Sequence, residues 1–408
     1  MTKFIKNTFI IFFILIFFTS KGFSQRSIII FKTDYSNNYM NYAIYDLIIK
    51  NIFLYSNLKI INSYSNYSSY NKIKSQIKKL TINNNANISI AYQIQNFKNG
   101  ILINYIIFDN EKPNEWIEKS AYSKEEDLFI SINKILKDIY EISKIKNKIT
   151  YIKEKDYISL LGYYSQKIIL TNNGDNIYKL FYDFHKDNIY FNIDYLEYLT
   201  DKSDRTSVDI INDLIKNMQN YINKKKNHYY LYSLGCMHYG KYKVNVILSD
   251  IEASIENYNK ALKLKNNYYK YYYRLANAYI LKNDYDNAIK YYEEAIKLNE
   301  YDINIIKEFV SLLKRDINKN GNEVISYLKK IIEINKNDEE ALEEISKLYE
   351  KIGDYDNALI YYNKLFEVIN YNLYIINNET KDADAYDRYI LKRNSIKLNI
   401  ESLKKKNF

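Results

Sequence analysis

The stretch NDYDNAIKYYEEAIKLNEYD (283–302) returns seventy residues on as GDYDNALIYYNKLFEVIN (353–370). Ala288 and Ala358 occupy the same slot, and 70 is twice 35. Between them, NEVISYLKKIIEINKND (322–338) fills that slot again, with Val324 in place of Ala288. Upstream, EASIENYNKALKLKNNY (252–268) sets Ala261 34 residues before Ala295. A repeat of this length is one helical hairpin, which buries its apolar face only by stacking on its neighbours. The small alanines let two helices approach closely, and tyrosine and leucine rings and branches fill the remaining gap. The C-terminal half is therefore expected to be an all-α solenoid.

Each 34-residue unit of this pattern resembles the tetratricopeptide repeat. In 269–302 the repeat's packing positions are held by Tyr272, Leu275, Ala276 and Tyr279 on the first helix, and by Ala288, Tyr292 and Ala295 on the second. The unit at 339–372 matches with Leu342, Ile345, Ser346, Tyr349, Ala358 and Tyr362. The middle unit, 303–338, carries Ile306, Phe309, Val310, Leu313, Val324 and Leu328, with two extra residues in its turn. The first unit is degenerate. LYSLG (231–235) supplies a Leu-Gly pair, and the stretch to Ser254 is about seven residues too long for the repeat. The array is thus placed at 228–372.

The resemblance implies a concave groove lined by the first helix of each unit. Its inner positions would be Lys270, Tyr273, Arg274 and Asn277, then Lys307, Ser311 and Arg315, then Glu343, Lys347 and Lys351. Lys270 and Arg274 have the spacing with which some members of the family grip a peptide C-terminus. The companion positions here hold Tyr232, Ser233 and Cys236, so a generic, partly basic peptide groove is the reading kept. The six tyrosines of YYKYYYRLANAY (268–279) scatter around a helix. Tyr272 and Tyr279 are expected in the core, Tyr271 on a flank, and Tyr273 alone toward the groove. A nucleic-acid stacking platform needs several rings on one basic surface, and the spacing does not provide one.

The amino terminus reads MTKFIKNTFIIFFILIFFTSKGFSQ. Lys3 and Lys6, an apolar run from Phe9 to Phe18, then Gly22 and Ser24 follow the order of a secretory signal peptide. Cleavage is expected after Ser24, and the run is short for a membrane-spanning helix. The formal charge is +10, or +7 without Lys3, Lys6 and Lys21, which suits anionic envelope surfaces in an exported protein. The expected location is the periplasm or cell envelope. With 47 Tyr, 8 Gly and 1 Pro, the composition follows AT-rich codon usage and suits long helices.

Residues 26–145 read as a mixed α/β domain. RSIIIF (26–31) is a short strand, MNYAIYDLIIKNIFLYS (40–56) a helix and LKIIN (58–62) a second strand, followed by a helix near 70–82. ISIAYQIQ (88–95) alternates, with Ile88, Ile90, Tyr92 and Ile94 on one side. Asn99-Gly100 suits the turn of a hairpin with ILINYIIF (101–108). A further strand surrounds Trp116. Ser123 and Glu126 form a capping box before a helix striped by Leu128, Ile132, Ile135, Leu136, Ile139 and Ile142. This order resembles the amino-terminal domain of TolB-like and FlgO-like envelope proteins, which implies an assembly or interaction module.

Residues 146–225 are the least legible. KDYISLLGYYSQKIIL (155–170) sets Tyr157, Leu160, Leu161 and Tyr164 on one helical side, and SVDIINDLIKNMQNYI (207–222) is a second amphipathic helix. They read as a linker or as degenerate repeats. Residues 373–408 read as a capping helix and basic tail, packing through Ile390, Ile396, Leu398 and Leu403.

No catalytic or cofactor motif appears. His185, His228 and His238 lack metal-ligand spacing, and His238 beside Cys236 makes two candidate ligands where zinc needs four. With one cysteine there is no internal disulfide. The sequence points to an exported scaffold that binds a protein or peptide, with no metal, cofactor or nucleic acid. A regulatory subunit of an envelope-modifying enzyme and a structural part of a surface or motility apparatus are the alternatives. Oligomeric state is left open.

Overall fold

The computed structural model describes residues 26–31, 39–56, 58–61, 70–83, 86–97, 100–113, 116–124, 127–144, 152, 178, 181–182, 188–218, 227–380 and 382–406. The expected leader, the 155–170 helix, Asn99 and Glu126 lie outside them. The chain forms two compact units, 1–278 and 279–408.

The first unit opens with an amino-terminal mixed sheet. Strands β1 (Ser27–Phe31), β2 (Lys59–Ile61), β3 (Ile88–Phe97), β4 (Gly100–Asp109) and β5 (Trp116–Ser123) lie in the order β2-β1-β3-β4-β5. The first three are mutually parallel, and β3-β4-β5 is an antiparallel meander. Helices α1 (Tyr39–Tyr55), α2 (Tyr70–Asn83) and α3 (Leu128–Ile142) complete the layers. Ile77 of α2 packs with Ile29, Phe31, Ala91, Ile106 and Phe108 on one face. Tyr105, the next residue along β4 and so on the opposite face, donates its hydroxyl to Asp138 of α3 at 2.6 Å. Both faces are covered, which is why β1 is apolar at every position rather than alternating.

The apolar stripe of α3 is buried as expected at Leu128, Ile132, Ile135, Leu136 and Ile139. The capping residue is different. Asp127 is the N-cap and makes no side-chain cap bond, while Ser123 ends β5 and accepts a hydrogen bond from Ser131.

Helices α4 (Ile189–Lys202), α5 (Arg205–Met218), α6 (His228–Asn245) and α7 (Leu248–Leu264) continue the first unit. They are tied to α1 through two buried lysines. Lys50 meets Asp46 and Asp194 at 2.7 Å each and donates to the Tyr190 carbonyl at 3.0 Å. Lys265 donates to the carbonyls of Phe53 and Ser56, 2.6 and 2.8 Å away, at the C-terminal end of α1. There the helix dipole favours a cation.

Helix α8 (Tyr269–Leu281) crosses the division between units. The second unit continues with α9 (Tyr285–Leu298), α10 (Ile303–Leu313), α11 (Ile317–Ile334), α12 (Glu339–Lys351), α13 (Tyr355–Ile375) and α14 (Ala383–Lys406). The predicted packing positions of the middle and last repeats are buried: Ile306, Phe309, Val310, Leu313, Val324 and Leu328, then Leu342, Ile345, Ser346, Tyr349, Ala358 and Tyr362. The extra residues of the middle repeat are absorbed by a 3-10 turn at Lys314–Asp316, between α10 and α11. In the degenerate repeat the surplus lies in the helices themselves, 18 residues in α6 and 17 in α7.

In α14 the expectation is only partly met. Ile396 and Leu403 are buried, but Leu398 is 65 % exposed, and Ile400 takes the inward position instead. Positions 396, 400 and 403 share one helical face, whereas 398 points away from it.

Candidate protein-interaction face

In the first unit, α8 carries the expected groove residues Lys270, Tyr273, Arg274 and Asn277. Arg274 does not line an open surface. It is 2 % exposed, and its guanidinium reaches Asp201 at 2.6 Å and Glu197 at 2.9 Å. Lys270 stands 3.5 Å from the same Glu197, and Tyr232 donates its hydroxyl to that carboxylate at 2.6 Å. Burial pushes the Glu197 carboxyl up, but Lys270, Arg274 and the Tyr232 hydroxyl outweigh it and hold the group below the usual carboxylate range. Tyr273 and Asn277 are half-buried, and the Arg274 guanidinium lies 5.3 Å from the Tyr273 ring centre. The two cations with carboxylate-gripping spacing are thus engaged by carboxylates of the chain itself. Glu197 and Asp201 sit on α4, in the region read from the sequence as a linker or degenerate repeats. Their four-residue spacing was the one available signal.

The tyrosines of α8 divide differently from the expectation. Tyr271 is fully buried and packs against Tyr232, Tyr268 and Phe53, with its hydroxyl 2.6 Å from His228 Nδ1. Tyr272 is half-buried and donates to the Asn266 carbonyl at 3.0 Å. The α6 and α1 rings pack at position 271, one step along from the expected core ring.

In the second unit, Lys307 and Ser311 of α10 line a cleft of about 80 Å³ with Val310, Lys314, Glu340 and Glu344. The first helices of successive repeats are bridged across it. Lys307 meets Asp338 at 3.0 Å and Glu340 at 2.8 Å, and Lys314 meets Glu344 at 2.6 Å. The Lys307–Glu340 and Lys314–Glu344 pairs are surface pairs of small net worth, and a ligand can exchange with them. Lys347 pairs with Glu343 of its own helix at 2.5 Å, and Lys351 is exposed. Arg315 leaves this face: it donates to the Tyr285 hydroxyl at 2.9 Å, with its guanidinium 4.3 Å from that ring. The 3-10 turn that absorbs the repeat's extra residues carries Arg315 there. The cleft brings together Lys307 and Ser311 from the expected set and adds Lys314, Glu340 and Glu344.

Cys236 and His238 face different partners. Tyr258 lies 3.5 Å from the buried Cys236 sulfur, and burial raises that thiol to about 11. His238 Nδ1 is 3.1 Å from Asp250. Among the described residues, no group of three His, Cys, Asp or Glu could hold a metal, and no helix is long and apolar enough to cross a membrane.

This geometry defines an amino-terminal mixed-sheet domain followed by a helical array of the tetratricopeptide-repeat type. The tetratricopeptide repeat pattern matches residues 269–302 and again 339–372. Among solved structures the chain is similar to the MamA protein. One MamA crystal structure is 24 % identical over 41 % of this chain and 93 % of its own, with a TM-score of 0.32. A second is 22 % identical over 47 % and 95 %, at 0.33. A third, titled MamA AMB-1, is 16 % identical over 43 % and 90 %, at 0.32. No curated protein matches the chain.

Proposed function

We propose that this protein is an exported, non-catalytic scaffold of the bacterial cell envelope that holds a peptide or protein segment on the first-helix face of its repeats. The carrying observation is the pair of tetratricopeptide repeats at 269–302 and 339–372. Such repeats present side chains on a rigid curved array and act by binding. The cleft at Lys307, Ser311, Lys314, Glu340 and Glu344 is a formed recess on that face. It offers both charges at short range, which suits a polar, extended segment rather than a single carboxylate. Export is supported by the order of charged, apolar and small residues in 1–24. Placement in the envelope is supported by that leader and by the TolB-like and FlgO-like order of the mixed-sheet domain.

Crosslinking and pull-down from intact cells tests the reading. Wild type is compared with Ser311→Arg/Lys314→Glu, which fills the cleft and reverses one of its charges at two exposed positions. The expected result is a defined envelope protein captured by wild type and lost by the variant, with unchanged circular dichroism. Retention of the same partners by the folded variant removes the cleft from the binding site. No specific capture in either case overturns the scaffold reading.

A further inference from the structure

The terminal helix of a repeat array normally turns a polar face to solvent. Here α14 packs inward through Ile396, Ile400 and Leu403, and Lys392 binds Glu339 of α12 at 2.6 Å. Its opposite face carries Leu391 and Leu398, 70 % and 65 % exposed. They are seven residues apart and therefore lie on one side of the helix. Seven residues further out in each direction stand Asp384 and Lys405, both exposed. Asp387, also exposed, lies beside the stripe at its acidic end, while Arg388 and Glu401 stand further off it, on opposite sides. Glu401 stands 4.0 Å from Lys397 of its own helix.

The order along the stripe is acid, acid, leucine, leucine, base, with Asp384 and Asp387 at one end and Lys405 at the other. The outer charges and the leucines are placed symmetrically about one point, the bond between Asn394 and Ser395. Asp384 mirrors Lys405, and Leu391 mirrors Leu398. An antiparallel copy of this helix, centred on that point, sets each Asp384 on a Lys405 and each leucine on a leucine. A parallel copy sets Asp384 on Asp384 and Lys405 on Lys405. A two-fold interface requires a patch complementary to itself, and this stripe is complementary to itself in one orientation only. We infer that the protein self-associates through an antiparallel α14–α14 pair with a two-fold axis between Asn394 and Ser395. From Asp384 to Lys405 the helix runs about 32 Å, and four leucines form the apolar centre. An interface of this kind falls at the small end, below roughly 1,200 Å², so the dimer forms reversibly with concentration.

Sedimentation of the purified full-length chain over about a hundredfold range of concentration is the first test, at an ionic strength low enough to leave the end pairs unscreened. The weight-average mass is expected to climb from the monomer value toward twice it. Leu391→Asp/Leu398→Asp is expected to weaken association at least about tenfold with unchanged circular dichroism, since both side chains are exposed. Asp384→Lys and Lys405→Asp are each expected to be monomeric alone and to form a heterodimer when mixed, because the mixture restores both ion pairs. Orientation is read by disulfide trapping. Cys236 is buried, so an introduced cysteine is the reactive thiol. Ser395→Cys lies at the axis and is expected to crosslink to its copy. Two copies of Asp384→Cys lie about 32 Å apart along the pair and are expected not to crosslink. A wild type that stays monomeric, an association that survives the leucine substitutions, or crosslinking through Asp384→Cys in place of Ser395→Cys each overturns the inference.

Discussion

Arg274 and Glu197 form a buried charge pair, with Lys270 half-buried beside it and Asp201 at its exposed edge, and removing Glu197 strands the cations. Glu197→Gln leaves Arg274 with Asp201 alone and Lys270 without its nearby carboxylate. Breaking a buried pair costs about 3–5 kcal/mol. Urea unfolding should show a loss of about that size in the first unit, while a control at exposed Lys351 should stay within about 0.5 kcal/mol of wild type. Lys265 gives a second residue-level expectation. Burial lowers its ammonium to about 7, against roughly 10.4 in the unfolded chain. Between those values the unfolded chain binds the extra proton, so stability rises with pH through this window and is lost as pH falls back toward 7. From pH 7 to about 9.5, wild type should gain on the order of 3 kcal/mol relative to Lys265→Met. Equal slopes for the two proteins would refute the assignment. His228 acts on the acid side: burial, then Lys265, lowers it to about 3, so stability falls as pH drops from about 6.5. The groove residues were legible in the sequence as a helical face, but not as available or occupied. Arg274 is occupied by acids about seventy residues earlier, and helical periodicity carries no information about such partners.

At the scale of the element, the repeats are set by their starts. Asp284, Asp302, Asp338 and Asp354 are N-caps whose carboxylates accept from the amides of Asn287, Ile305, Ala341 and Asn357. Losing such a cap costs about 1 kcal/mol. The residue before two of these caps is left-handed: Asn283 at φ 60° and Gly353 at φ 81°, seventy positions apart in the same turn. Glycine meets this conformation without strain and asparagine meets it tolerably. Gly353→Ala should therefore destabilise the second unit by about 1–2 kcal/mol, and Asn283→Gly should be neutral or slightly stabilising, both read by thermal unfolding. In the degenerate repeat, a Cβ on Gly235 would meet the Tyr258 ring at 2.4 Å, so Gly235→Ala should cost about 1–3 kcal/mol through overpacking. That glycine was visible in the sequence as half of a Leu-Gly pair, and the ring that needs it was not. The alanine slots, the hairpin of β3 and β4 and the stripe of α3 were legible because each depends on local spacing. The start of α3 at Asp127 in place of Ser123, the one-step shift from Tyr272 to Tyr271 and the exposure of Leu398 were not, because each is decided by tertiary packing.

At the scale of the whole molecule, the proposed cleavage after Ser24 falls two residues before a residue that anchors the fold. Arg26 reaches Asp109 at 2.6 Å and Glu111 at 3.2 Å, and donates to the Ile142 carbonyl at 2.9 Å. It thereby joins the start of β1 to the end of β4 and the end of α3. Its relative burial makes those contacts worth more than surface pairs. A processing site past Arg26 would remove them, whereas one after Ser24 keeps them whole and leaves Gln25 as the new terminus. The expected outcome is a mature protein that begins at Gln25, read by intact-mass spectrometry of the protein recovered from the envelope fraction. Arg26→Ala should leave the cut in place and lower the stability of the mixed-sheet domain. A recovered mass that still includes residues 1–24 would remove the cleaved-leader reading, and recovery only from the cytoplasm would remove export with it.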